Sequence, residues 1–494
     1  MITLSQLAKQ TCTQHAEKIA VVDKRRQLTY RQLKEESCRL ASVFTSKGLL
    51  KGDRIGILSA NRVEHIVIDL AVAMTGLIKV PINTKLHPKE IQFILENAKA
   101  KLIIGEISLL MNVDYRGDIV TFENEYESLL ANVHSEYPDC SVLDTDAFAI
   151  MYTSGTTGRP KGAVLSHRAI IASAQSLIMA CELGYEDVVG HVAPLTHGSN
   201  FLAQCALFFG LKQVIFDKFD PKSIADQLEK ERVTTIFMVP TIVNLMVQDE
   251  AFEPKKLRYL KSINMAGAPI ASEKLQEALD KLGPIFAETY GLVEAPMAIT
   301  IMPKSKLPYY LSSCGAVGPM VEMVLRDETG NEVRQGEVGE ITCKGPLVMD
   351  NYWANDEATN NAIKDGWFYT GDLGWVDPFG HLHLIDRKND VIISGGMNIY
   401  PREVEEVLNL HKAVKEACVF GVKNEKWGES VYAHVVLKNG VTVEESQLVT
   451  HCKEHVASYK KPAHIKIVPS LPKSPYGKIL RRELKKLYEE GVKG

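Results

Sequence analysis

The feature that most constrains the fold is an alternation of periods between residues 30 and 105. Leu33, Ser37, Leu40 and Phe44 recur on one helical face, whereas Ile55-Gly56-Ile57-Leu58 is a short apolar run entered through the turn Lys51-Gly52-Asp53. Helical texture follows from about Arg62 to Thr75, then a strand-like run around Val80. Pro88 stands at a first helical position, and Ile91, Ile94, Leu95 and Ala98 keep helical spacing before the apolar run Leu102-Ile103-Ile104. A helix between successive strands returns the chain to the same end of a sheet, so the texture predicts parallel strands in an α/β domain.

The pattern returns downstream. Val214-Ile215-Phe216 reads as a strand, Asp220-Pro221 as a helix cap and first residue, and residues 235–239 as another strand. From about 315 to 385 short β-like runs are separated by Gly and Asp turns, and a fresh α/β segment follows Asp386-Arg387-Lys388-Asn389-Asp390. The expected fold class is therefore α/β: a large N-terminal α/β domain ending in a β-rich portion, residues 1–386, and a small α+β C-terminal domain, residues 387–494.

Charge balance narrows the partners. Against 57 basic residues stand 61 acidic ones, so neither nucleic acid nor a membrane surface is indicated. The most apolar stretch, residues 66–82, is interrupted by Asp69, Thr75, Lys79 and Pro81, which fits a buried helix and strand and not a spanning helix. Nine cysteines, an odd number without CxxC spacing, fit reduced thiols, and the first ten residues lack a signal-peptide pattern; the expected location is cytoplasmic. The sequence allows a homodimer without specifying one.

The strongest local signal is Tyr152-Thr153-Ser154-Gly155-Thr156-Thr157-Gly158-Arg159-Pro160-Lys161-Gly162, placed after the apolar run 147–151. Small hydroxyl residues and glycines let backbone N–H groups close on phosphate oxygens, and Lys161 adds positive charge. Pro160-Lys161-Gly162 replaces the Gly-Lys-Ser/Thr of a Walker A loop.

This run resembles the phosphate loop of the adenylate-forming superfamily, which includes acyl-CoA synthetases, aryl-CoA ligases, peptide-synthetase adenylation domains and firefly luciferase. Further stretches resemble the family's motifs in its order: Ala266-Gly267-Ala268-Pro269, Glu288-Thr289-Tyr290-Gly291-Leu292-Val293-Glu294, Tyr369-Thr370-Gly371-Asp372, Asp386-Arg387, Ser394-Gly395-Gly396 and Pro475-Tyr476-Gly477-Lys478. The resemblance implies that Thr153 to Gly158 and Lys161 bind the phosphates of ATP, and that Gly267, Ala268, Pro269, Glu288, Thr289, Tyr290 and Gly291 bind adenine. It further implies that Glu294 holds Mg²⁺, that Asp372 and Arg387 hold the ribose and phosphate region, and that Lys478 is the catalytic lysine. By the same resemblance Asn389 is the hinge about which a mobile C-terminal domain turns, and Gly395, Gly396, Tyr459 and Lys460 meet coenzyme A. Ala193-Pro194-Leu195-Thr196-His197-Gly198-Ser199-Asn200-Phe201 resembles the segment at the acid pocket, with His197 near the carboxylate. Two departures stand out. Val293 replaces a Thr that contacts the α-phosphate, and Asn389 replaces the usual Asp or Lys.

The implied activity is ATP-dependent ligation of a carboxylic acid to coenzyme A through an acyl-adenylate, with ATP and the acid bound between the two domains. Fatty or other aliphatic acids are expected first and aryl acids second. Residues 458–462, Ser-Tyr-Lys-Lys-Pro, resemble CoA ligases more than peptide synthetases, and no carrier-attachment signature is present. Rival readings are a stand-alone enzyme loading a carrier protein, a luciferase-like oxygenase and a non-catalytic nucleotide-binding protein. A zinc hydrolase reading rests on His451-Cys452-Lys453-Glu454-His455 alone.

Overall fold

The computed structural model describes residues 2–138, 140–153, 160–250, 252–473 and 479–491. Ser154, Gly155, Thr156, Thr157, Gly158 and Lys478 lie outside the described residues. The chain divides into two compact units. One comprises Met1–Met323 and Cys343–Tyr369, the other Val324–Thr342 and Thr370–Gly494. Among the described residues no helix is long and apolar enough to cross a membrane.

The first unit holds two sheets of the expected kind. In the seven-stranded one, Arg54–Leu58 lies parallel to Ile78–Ile82 on one side and to Ala100–Gly105 on the other. Ala147–Thr153 and Lys161–Ser166 extend it as an antiparallel pair, and Asn351–Tyr352 adds an edge. The helices between these strands form where the apolar spacing placed them. Tyr30–Ser46 buries Leu33, Ser37, Leu40 and Phe44, and Thr29 and Gln32 close a reciprocal capping box at its start. Pro88–Ala98 begins with Pro at its first position and buries Ile91, Ile94, Leu95 and Ala98. Burying the Leu, Ile and Phe side chains among these contributes about 1.5–3 kcal/mol each, which outweighs helix propensity alone.

In the nine-stranded sheet the order runs from Ala316–Val317 through Thr300–Met302, Phe286–Tyr290, Ser262–Met265, Thr235–Met238, Val188–His191, Lys212–Ile215 and Ile19–Val22 to Gln27–Thr29. The strands from Phe286–Tyr290 to Ile19–Val22 are all parallel. Asp220 caps the helix Pro221–Glu231 by accepting from the Ser223 N–H at 3.0 Å, as the Asp-Pro pair predicts. Phe286, Ile263, Ile236, Met238 and Leu275 form the core between this sheet and its helices.

In the second unit, segments 324–326, 339–342 and 370–376 and the strand Leu382–Arg387 form one sheet. A second sheet carries Met397–Ile399, Ile392–Ser394, Gly428–Leu437, Val414–Asn424 and His464–Ile467. Helices Pro401–Leu410 and Glu445–His455 pack on it through Val404, Leu408, Leu448 and Cys452. The expected boundary at 386/387 falls inside this unit, because residues 372–376 pair with Leu382–Arg387 across an antiparallel ladder.

Candidate active site

Parallel strands place their carboxyl ends on one edge of a sheet, and that edge is where the predicted nucleotide segments emerge. Met265 pairs with Glu288, so Ala266-Gly267-Ala268-Pro269 leaves the sheet beside Thr289-Tyr290-Gly291. Gly267, Ala268 and Pro269 are exposed, and Gly267 has φ +88°, a left-handed conformation that glycine adopts without strain. Tyr290 is buried at the last position of its strand. Glu288 is half-buried, and the Thr289 hydroxyl is buried against Asn264, 3.3 Å from its Nδ2. Gly291 must be glycine. A Cβ there would lie 2.7 Å from both the Ala295 carbonyl oxygen and the Met297 nitrogen. The chain turns tightly there, and the Ile299 N–H returns to the Tyr290 carbonyl at 2.7 Å.

That turn presents Glu294. Tyr352 Oη donates to Glu294 Oε1 at 2.8 Å, and the Met349 N–H donates to the Glu294 carbonyl at 2.7 Å. Tyr352 pairs with Ala163 across the antiparallel ladder, and the Trp353 N–H donates to the Gly162 carbonyl. Lys161 Nζ sits 5.1 Å above the Tyr352 ring. One aromatic side chain thus brings Lys161, at the end of the hydroxyl- and glycine-rich run, together with Glu294. Thr153 and Lys161 face each other in the ladder of the antiparallel pair. A single carboxylate of this kind suits Mg²⁺, which takes one or two protein carboxylates and completes its shell with phosphate oxygen and water. Among the described residues no cluster of three or more His, Cys, Asp or Glu could hold a metal ion.

Residues 193–201, expected by resemblance at the acid pocket, leave the same sheet edge after Val188–His191. His197 is half-buried at the N-cap position of the helix Gly198–Phe209, with Nδ1 3.3 Å from Thr196 Oγ1. Burial pushes its imidazole down to about 4, so the ring is neutral at neutral pH. Gly198 allows close packing here, since a Cβ would lie 2.8 Å from the Phe237 ring.

In the second unit, Asp372 and Arg387 are brought together. They face each other in the ladder, and Arg387 Nε lies 2.6 Å from Asp372 Oδ1. Asn389 is exposed in the short turn Lys388–Asp390. Gly395 and Gly396 have φ +58° and +80° in the turn between two short strands, and the Gly395 N–H donates to the Trp427 carbonyl at 2.7 Å. Tyr459 is exposed, whereas Lys460 Nζ is held 2.7 Å from both oxygens of Glu403. The histidines of the zinc motif are engaged otherwise. His451 Nε2 lies 2.9 Å from the Val407 carbonyl oxygen, and His455 Nδ1 lies 2.8 Å from that of His451.

Several groups escaped sequence reasoning. Tyr352 lies 58 residues from Glu294, and no local pattern joins them. Arg481 is another: it reaches Asp390 at 2.7 Å, Glu405 at 2.8 Å and Asp386 at 3.4 Å, tying the segment around Asn389 to the last helix. The sequence signal that could have found it is only its place three residues after Lys478.

Known proteins resemble this chain over nearly its whole length. Residues 8–353 match the family model of AMP-binding enzymes, and residues 403–478 match that of the AMP-binding enzyme C-terminal domain. The 2-succinylbenzoate–CoA ligase of Geobacillus kaustophilus is 35% identical over 99% of this chain and 98% of its own. A feruloyl-CoA synthase of Amycolatopsis is 31% identical over 93% and 94%, and a long-chain-fatty-acid–CoA ligase of Yersinia pestis is 30% identical over 98% and 94%. Among solved structures, ATP-bound MatB from Rhodopseudomonas palustris superposes with a TM-score of 0.91 at 29% identity, covering 99% of both chains. The o-succinylbenzoate CoA synthetase of Bacillus subtilis, bound to its acyl-adenylate, gives 0.89 at 29% identity over 97% of each.

Proposed function

The chain belongs to the AMP-binding enzyme family, as an AMP-forming carboxylic acid:CoA ligase, and from that premise we propose how its own residues divide the work. ATP, the acid and coenzyme A are its substrates. Tyr290 and the segments Gly267–Ala268–Pro269 and Glu288–Thr289–Gly291 take the adenine, and Asp372 with Arg387 takes the ribose. Residues 153–158 and Lys161 take the phosphates. Glu294 would hold Mg²⁺, which when bound supplies positive charge to the phosphate oxygens. Lys478 bridges the acid's carboxylate and the nucleotide.

The acid's carboxylate oxygen attacks the α-phosphorus and pyrophosphate leaves. The thiol of coenzyme A then attacks the acyl carbon, AMP leaves, and the thiol proton is lost. The first step brings one anion onto another, so positioned cations govern it, and removing one such donor costs about 10²–10³ in rate. Neutral His197 is suited to donate a hydrogen bond to the carboxylate without adding charge. Residues 387–494 are proposed to act as a lid turning at Asn389, with Gly395, Gly396, Tyr459 and Lys460 toward coenzyme A. Nine free cysteines, eight of them buried, fit a cytoplasmic enzyme.

The observation that carries this reading is the meeting of Lys161 and Glu294 on Tyr352, beside the sheet edge where the adenine segments emerge. Its test is release of AMP and pyrophosphate from Mg-ATP with each of palmitate, ferulate and 2-succinylbenzoate, with and without coenzyme A. Thioester and AMP in equal amounts are expected. Pyrophosphate exchange that coenzyme A leaves unaltered would instead point to a carrier-protein acceptor.

On the acid, the relatives named for long-chain fatty acids, at 30% identity, keep an aliphatic substrate in view. An aryl acid is favoured by one observation, the higher identity of 35% to two 2-succinylbenzoate–CoA ligases.

A further inference from the structure

Asp69 and Lys79 interrupt the most apolar stretch of the sequence, and the activity above uses neither. In the structure they are 2% and 3% exposed and form an ion pair at 2.6 Å. What they enclose is the start of the acid-pocket helix. Lys79 Nζ donates to Asn200 Oδ1 at 2.8 Å, and Asn200 Nδ2 donates to Asp69 Oδ2 at 2.7 Å. Gln204, one turn further along that helix, donates to the same Asp69 oxygen at 2.8 Å. The Lys79 ammonium also lies 4.7 Å above the Phe148 ring.

Two charges buried this deeply are expensive to desolvate, and an apolar pair of similar volume would serve stability as well or better. An apolar pair lacks direction. Asn200 must turn its oxygen to Lys79 and its amide to Asp69, so one rotamer and one rotation of the helix satisfy all three groups. Asn200 stands three residues past His197, on the first turn of the helix whose N-cap position His197 occupies. The approach to that helix is held as firmly. Asn61 Nδ2 donates to the Ala193 carbonyl at 3.0 Å, and Asn61 Oδ1 accepts from the Leu195 N–H at 2.8 Å. His191 Nδ1 lies 3.0 Å from Ser199 Oγ. Residues 191–204 are therefore pinned by buried polar groups from the loop, helix and strand around residues 61–79.

We propose that the Asp69–Lys79 pair, acting through Asn200, is a positioning device that sets the first turn of helix 198–209 and thereby holds His197 for the acid. This rests on the ligase reading. The pair should govern use of the acid and leave use of ATP alone.

The test is steady-state pyrophosphate exchange with whichever of palmitate, ferulate and 2-succinylbenzoate the unsubstituted enzyme uses best. It is run on Asn200→Leu and on the paired exchange Asp69→Leu with Lys79→Met, which leaves no buried charge unpaired. Expected is a rise in KM for the acid of about tenfold or more in both variants. The KM for ATP should stay within twofold in both variants. An unchanged acid KM overturns the proposal. So does an equal rise in both KM values, which would mark a role in general stability. Failure of the ligase reading looks different: no acid then drives exchange in the unsubstituted enzyme.

Discussion

Replacing Arg481 by Met removes a cation that three carboxylates of the second unit share. Its guanidinium lies 2.7 Å from Asp390, 2.8 Å from Glu405 and 3.4 Å from Asp386. The side chain is 19% exposed, and those of Glu405 and Asp386 are 17% and 6% exposed. Removing one partner of a buried pair costs about 3–5 kcal/mol, and the partial exposure of Arg481 places the expectation at the lower end, about 3 kcal/mol. At roughly 2–4 °C per kcal/mol for a unit of this size, its calorimetric transition should fall by roughly 6–12 °C. The pH dependence is the sharper test. Burial raises the Glu405 carboxyl above its ordinary value even with Arg481 and the Val419 N–H holding it down. A group raised in the folded state contributes stability below its unfolded pKa and loses it as pH rises through the folded one. Without Arg481 that folded value climbs further, so the deficit of Arg481→Met should be largest near pH 8 and shrink toward pH 5. A drop under 2 °C, or a deficit that grows on acidification, would refute the reasoning.

Lys478→Ala should lower acid-dependent pyrophosphate exchange by about 10²-fold or more while largely sparing thioester formation from preformed acyl-adenylate; equal loss of both half-reactions removes its assigned role. Asn389→Pro should show the opposite split, with adenylate formed at the usual rate and its transfer to coenzyme A slowed. Tyr352→Phe deletes a buried hydrogen bond to a carboxylate, worth about 1.5–3 kcal/mol, and should raise the Mg²⁺ concentration needed for half-maximal exchange, with wild-type Mg²⁺ dependence as the contrary result. His167, His191 and His197 are each pushed down to about 4 by burial, so stability should be level above pH 6.5 and fall between pH 6.5 and 4. Each contributes about 1.4 kcal/mol per pH unit in that window, and a melting temperature constant down to pH 4.5 would contradict it.

Much of the fold was legible because local pattern and tertiary burial agree in its core. The helical spacing of Leu33, Ser37, Leu40 and Phe44 and the Asp220-Pro221 cap both predicted elements that formed where expected. Boundaries were less legible. The helix Asp356–Ala362 buries none of its residues, so it left no apolar stripe to read. The 386/387 boundary followed a change of texture, whereas compactness follows strand pairing, which joins residues 370–376 to Leu382–Arg387.

For the site, the sequence alone supplied the chemical candidates. The hydroxyl- and glycine-rich run, Glu294, Asp372, Arg387 and Lys478 are local features, and their order along the chain carries the resemblance to adenylate-forming enzymes. Tertiary structure decided which of them share a partner. Tyr352 joins Lys161 to Glu294 only because a strand from residues 351–352 pairs with Lys161–Ser166. Asp69 and Lys79 read as polar interruptions of an apolar stretch until the fold closed Asn200 and Gln204 around them. The physical reason is common to both. A motif records what a few consecutive residues can do, whereas a buried polar group is defined by the partner that satisfies it, and that partner is supplied from another part of the chain.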